Sequence, residues 1–223
     1  MRLLAHVEGE TEESFVNDVL RPHLLTLGYS SVSARLLGNA RARLRRGGIR
    51  SWDVVRGDIV RHLAGDQGCI ATCMVDYYAL PSSWPGRSDA ILLPISQRGS
   101  YVQQAILGDL AGRSPYGARF EPFVIMHEFE ALLFSDCERF ARGVGHPEKA
   151  AALAGVRALF QNPEEINDSA ATAPSKRLVA LIPGYIKPIF GVLAALEIGL
   201  ASMRRECPHF ADWLGRLEMR VAN

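Results

Sequence analysis

Apolar residues along this chain gather into four short runs, separated by stretches in which they recur at helical spacing. The first run holds Leu3, Leu4 and Val7, the second covers 32–37, the third is CIATCMV at 69–75 and the fourth is FEPFVIM at 120–126. The third run is unbroken, as a central strand covered on both faces requires. Between the runs, Thr11 reads as the N-cap of a helix that carries acidic residues in its first turn and stops at Gly28. Trp52, Val55, Ile59, Val60 and Leu63 mark a second helix, and further helices are predicted over 101–110, over 128–134 and over 137–160 with interruptions near Gly143, Gly145 and Pro147. The segment 188–221 predicts one or two C-terminal helices, with Ile189, Val192, Leu193, Leu196 and Leu200 as the apolar face. Strands alternating with helices predict an α/β fold with a mostly parallel central sheet flanked by helices. Its core is expected over 1–136, with a C-terminal helical extension over 137–223, unless the two form one single domain.

At 223 residues and 48% hydrophobic content the chain is long enough to bury a substantial core. No apolar stretch reaches the length of a membrane span and the N-terminus lacks a signal-peptide pattern, so a soluble, cytoplasmic protein is expected. Cys69 and Cys73 sit inside an apolar run and read as small buried hydrophobes, with no zinc-type spacing among the four cysteines. Lys and Arg number 25 against 24 acidic residues, so affinity for nucleic acid must come from a local patch. RARLRRGGIR at 41–50 supplies one candidate. Arg43, Arg45, Arg46 and Arg50 suit phosphate geometry, and the paired glycines allow close backbone approach; the same run also reads as a solvated basic loop. The polar segment 162–175 contains two prolines, reads as a functional loop or one that orders on binding, and ends in Ser175, Lys176 and Arg177.

The chemistry is carried by the residues that follow the apolar runs. Glu8 follows the first run, Asp76 the third, and Glu128 and Glu130 the fourth, so a parallel sheet would gather these carboxylates at one edge. Taken singly, Glu8 reads equally as a partner of backbone amides, Asp76 as a turn cap, the two later glutamates as first-turn helix acids and His127 as a space-filling side chain. Gathered together, carboxylates repel, and a fold that holds them supplies a cation or shifted pKa values. Oxygen ligands without a histidine or cysteine cluster favour Mg2+ or Mn2+, whose characteristic chemistry is phosphoryl transfer.

VEGETEESFV, MVDYYALP, MHEFEALLFSD, NPEEINDSAATAPSKR and PGYIKPIFG, in that order between about residues 3 and 195, resemble the bacterial family described as domain of unknown function 4276. The resemblance implies a Toprim-like fold, related to the Toprim domains of overcoming-lysogenization-defect nucleases, and genes lying near ATPases in phage-defence or mobile regions. It implies that Glu8 is the Toprim glutamate, a metal ligand or general acid/base, and that Asp76 is the first aspartate of the D-x-D pair. Tyr78 stands at the second position of that pair, leaving Glu128 and Glu130 to complete the metal ligands. Lys176 then suits a phosphate contact in the transition state. The expectation is a magnesium-dependent nuclease acting on DNA or RNA, with Arg43, Arg45, Arg46, Arg50 and Arg177 on the backbone. The alternative is a non-catalytic nucleic-acid- or nucleotide-binding module that regulates a partner ATPase.

Overall fold

A computed structural model describes residues 1–37, 49–166 and 172–222. Strand β1 (Arg2–Val7) turns at Glu8 and Gly9 into α1 (Glu10–Phe15), which passes through a π-helical turn (Val16–Leu20) into α2 (Arg21–Thr26). The chain then forms β2 (Ser31–Leu36), α3 (Trp52–Gly65), β3 (Cys69–Asp76), α4 (Arg87–Ala90), α5 (Ile95–Arg113) and β4 (Phe120–Ile125). The helices α6 (Glu130–Leu133), α7 (Cys137–Gly143), α8 (Ala150–Arg157), α9 (Pro174–Leu181), α10 (Lys187–Glu206) and α11 (Pro208–Ala222) complete it.

All three strand pairings are parallel, in the order β2-β1-β3-β4. The α/β architecture expected from the alternating pattern is therefore present. Side chains alternate across the sheet as the strand period demands. Leu3, Ala5, Val7, Ile70, Met74, Phe123 and Ile125 join one buried cluster, while Ala71, Cys73, Val75, Phe120 and Val124 join the other. Trp52, Val55, Ile59 and Leu63 of α3 and Val102, Ile106 and Leu110 of α5 fill the second cluster. The first takes in α1, the π turn and much of the C-terminal helical region: Trp213 stacks on Phe123 at 4.5 Å and donates from Nε1 to Thr72 Oγ1 at 3.0 Å. Cys69 and Cys73 are buried thiols, as their neighbours imply.

The structure departs from the sequence expectation at several places, and the helix expected over 101–110 runs over Ile95–Arg113. The cap of α1 is Gly9, and Thr11 is buried inside the helix instead of capping it. The helix expected from residue 128 shrinks to the single turn of α6, because His127 takes a left-handed φ of 66° and redirects the chain. Helix α9 starts inside what reads as loop, with Pro174 at its first turn, where a proline's missing N–H costs nothing. In α10 the expected face is reversed. Gly191, Ala194, Ala195 and Ile198 face the core, whereas Ile189, Leu193 and Leu196 are exposed. Close approach selects the small residues: a Cβ on Gly191 would stand 2.8 Å from Thr11 Cγ2, and one on Gly143 of α7 would stand 2.8 Å from Ala194 Cα.

Candidate functional site

In the order β2-β1-β3-β4 the chain leaves β1 toward one side of the sheet and later returns to β3 on the other, so the direction of winding reverses between these two neighbours. The carboxyl ends of strands beside such a reversal frame a crevice. Glu8 directly follows β1 and Asp76 ends β3, and the two meet: the Asp76 backbone N–H donates to Glu8 Oε2 at 3.2 Å. The sheet thus converts two acids 68 positions apart into neighbours.

Helix α1 adds a third carboxylate. Glu12 lies one turn into the helix and is buried, because Gly9 leaves room for it: a Cβ at position 9 would sit 2.9 Å from Glu12 Oε2. Beyond β4 the left-handed turn at His127 brings Glu128 and Glu130 to the same region. Glu128 accepts the Ser175 backbone N–H at 3.0 Å, which ties the start of α9 to the site. Glu130 is fully buried and forms an ion pair with Lys187 Nζ at 2.9 Å.

One lysine therefore faces a group of acids, and their protonation reflects it. Burial, then the proximity of Glu12 and Glu8, hold the Asp76 carboxyl well above the usual aspartate range. Burial pushes Glu12 up to about 7, with Glu130 and Glu8 adding to the effect. Burial also raises Glu8 against the opposing Asp76 N–H, and raises Glu130 against the pull of Lys187. For Lys187 burial acts downward, yet Glu130 and Glu128 hold the ammonium above the ordinary lysine value. Asp76 Oδ1, Glu130 Oε1 and the Tyr185 hydroxyl are buried with no hydrogen-bond partner among the described residues. Orphaned buried acceptors of this kind are rare in folded proteins and mark places that await a partner.

Of the residues singled out in the sequence, Glu8, Asp76, Glu128 and Glu130 come together. Lys176 is exposed in the first turn of α9, next to Ser175, and it is Lys187 that reaches the acids. Arg177 donates to the Thr172 carbonyl at 2.7 Å and stacks over Phe160, so it supports the segment leading into α9. Arg50 is exposed just ahead of α3, and its carbonyl accepts from Trp84 Nε1. Arg43, Arg45 and Arg46 lie outside the described residues. Tyr78, two residues beyond Asp76, is 47% exposed. Two members of the site carry no individual mark in the sequence. Glu12 has an ordinary explanation as a first-turn acid, although the spacing Glu8-Gly9-x-x-Glu12 hints at more, and Lys187 is one lysine before a proline.

The donors are hard oxygens, the type that Mg2+ and Mn2+ select. Among the described residues no three histidine, cysteine, aspartate or glutamate side chains are grouped so as to hold an ion as they stand. The contacts already made explain this: Glu8 is engaged by the Asp76 amide, Glu128 by the Ser175 amide and Glu130 by Lys187. Asp76 Oδ1 is left as a buried oxygen that a cation would satisfy. The site is also distinct from the polar cavity of about 260 Å3 between α5, α11 and the 162–165 turn, which is lined by Ser100, Glu164, His209 and Asp212.

The whole arrangement falls within one family. Residues 7–218 match the model described as domain of unknown function (DUF4276). The chain belongs to that family. No curated protein and no solved structure matches it. Within this DUF4276 chain the matched span contains all five carboxylates and Lys187.

Proposed function

We propose that this DUF4276 protein is a magnesium- or manganese-dependent phosphodiesterase of Toprim type, a nuclease acting on DNA or RNA at the crevice between β1 and β3. The observation that carries the reading is the imbalance at that crevice: among the described residues Glu8, Glu12, Asp76, Glu128 and Glu130 share one lysine, and Asp76 Oδ1 is buried without a hydrogen-bond partner. Glu8 and Asp76 would hold the ion, with Glu128 and Glu130 as further ligands once Lys187 and the Ser175 amide release them. When bound, such an ion neutralises phosphate charge and lowers the pKa of water. The chain's own residues do the rest. Glu12, poised near neutrality at about 7, is suited to take the proton from the attacking water at its carboxylate. Lys187 offsets part of the negative charge of the crevice through Glu130. Lys176 and the arginines at 43, 45, 46, 50 and 177 supply cationic groups for the substrate backbone.

A second reading, a non-catalytic nucleic-acid- or nucleotide-binding module acting with a partner ATPase, is favoured by Tyr78 in place of a second aspartate and by the ion pair that already occupies Glu130. Titration of Mg2+ and Mn2+ by calorimetry, on the native chain and on Asp76→Asn, separates the two. The nuclease reading expects binding that Asp76→Asn weakens at least about tenfold, together with metal-dependent cleavage of labelled DNA or RNA. Absence of binding with a nucleic-acid oligomer present, in a variant pair of equal melting temperature, overturns it in favour of the module.

A further inference from the structure

Helix α10 has two apolar faces and uses one. The inner face is built of Gly191, Ala194, Ala195 and Ile198 and lies against α1, α6 and α7. The outer face presents Ile186 at the cap and then Ile189, Leu193 and Leu196, which are 53%, 53%, 45% and 51% exposed. Val192 beside them is half-buried, and Phe190 is half-buried and stacked on Tyr185. Gly199, with φ 74° and ψ 157°, breaks the helix and ends the seam.

We infer that this outer face of α10 is the contact surface for a second copy of the same chain, paired antiparallel about a two-fold axis. Three observations select this occupant. The first is spacing: steps of three, four and three residues between Ile186, Ile189, Leu193 and Leu196 are those of a coiled-coil seam, so the face is shaped for another helix. The second is symmetry. The spacing reads the same in both directions, so a two-fold at the level of Gly191 sets Ile186 against the partner's Leu196 and Ile189 against the partner's Leu193. That is the self-complementarity an isologous contact requires. The third is area. Four half-exposed aliphatic side chains present on the order of 400 Å2, a patch size that on a monomer is often functional. Two such faces with their rims bury on the order of 1,000 Å2, the lower bound for a specific interface. The seam is about 15 Å long, short enough to be complete before the break at Gly199. Lys187 lies between Ile186 and Ile189 in sequence and points to Glu130, so pairing would brace the helical turn that supplies a cation to the acidic crevice.

The test is the mass of the full chain in solution, by sedimentation or by light scattering after size exclusion, at about 50 µM and on dilution. The native chain is expected to sediment as a dimer, and Leu193→Glu, which sets two like charges into the seam, as a monomer with an unchanged circular dichroism spectrum. The dimer dissociation constant should rise by about a hundredfold or more. If Leu193→Glu fails to fold, the milder pair Leu193→Ser with Leu196→Ser carries the same expectation. In addition, Ile189→Cys combined with Leu193→Cys should yield an oxidised covalent dimer. A native chain that stays monomeric at 50 µM overturns the proposal and assigns the face to a different protein. A dimer that survives the seam substitutions overturns it as well, since the contact then lies elsewhere.

Discussion

The two ends of one sheet handle charge in opposite ways. At the amino end, Glu121 at the start of β4 is buried but held by two arginines of α11, with Arg216 Nε at 3.1 Å and Arg220 Nε at 3.0 Å. Arg2 pairs with Asp66, and Arg119 donates to the carbonyls of Leu63, Asp66 and Cys69. At the carboxyl end, five acids share Lys187, and buried oxygens go without hydrogen-bond partners among the described residues. The same strands supply both ends, so neither the fold nor a shortage of basic residues forces the imbalance. A buried carboxylate with two guanidinium partners is complete, and there is nothing left for it to bind. The carboxyl end is left with buried carboxylate oxygens that a ligand could satisfy.

The largest effect that distinguishes the two ends is on pH dependence. Glu12 moves from 4.5 to about 7 on folding, and Glu8, Asp76 and Glu130 move in the same direction. With raised pKa values the folded chain binds more protons than the unfolded chain across that interval, so stability is present in full below about pH 4.5 and is lost as pH rises through about 7. Glu12 alone accounts for about 3 kcal/mol. Glu164, raised to about 7 by burial where it accepts the His209 and Phe210 amides, adds a slope of the same sign. At the amino end Asp66 is lowered by its hydrogen bond from Arg2, so its contribution is present above the ordinary aspartate pKa and lost on acidification. Urea denaturation should find the chain less stable at pH 8 than at pH 5, and Glu12→Gln should remove much of the difference. A slope that Glu12→Gln leaves intact would place its origin at the other raised acids, Glu8, Asp76 and Glu130 of the crevice or Glu164, and Glu164→Gln then separates the two locations.

The next effect comes from removing the counter-charge that Lys187 supplies. Lys187→Met leaves fully buried Glu130 without its partner. Breaking a buried pair costs about 3–5 kcal/mol, and the partial exposure of the lysine reduces this to about 2 kcal/mol at pH 8. At pH 5 the acids take up protons and the loss should nearly vanish. A loss of equal size at both pH values would mean that Lys187 acts through packing of its stem and not through charge.

Much of the frame could be read from the chain, and the gaps have physical causes. Glu8 and Asp76 are legible because each follows an apolar run and precedes a turn, so strand direction alone sends them to one edge. Glu12 is hidden because an acid in a first helical turn already has a reason to be there, and only the space left by Gly9 reveals that it folds back into the crevice. Lys187 is hidden by distance: it reaches the crevice only because Gly191 lets α10 settle against α1. The same close packing misleads the reading of α10, where hydrophobicity points to the large side chains while the small ones are buried. Helix α9 is missed because its N-terminal proline and serine read as loop.

The smallest stability effect is expected at Lys176, and it sharpens the contrast between the two lysines. Lys176 is exposed and sits one residue beyond Ser175, whose amide holds Glu128. Lys187 is bound to Glu130, so its charge is used inside the protein, whereas that of Lys176 is exposed and, under the proposed nuclease reading, would be open to a substrate phosphate. Lys176→Ala should therefore change stability by no more than about 0.5 kcal/mol, the range of surface substitutions, with the pH slope and metal binding unaltered. In a cleavage assay it should lower kcat/KM by about tenfold or more, and the loss should grow as salt is reduced, because a phosphate contact strengthens at low ionic strength. If cleavage is unaffected while Lys187→Met abolishes it under conditions where both variants stay folded, then Lys187 leaves Glu130 when substrate binds and serves the phosphate itself.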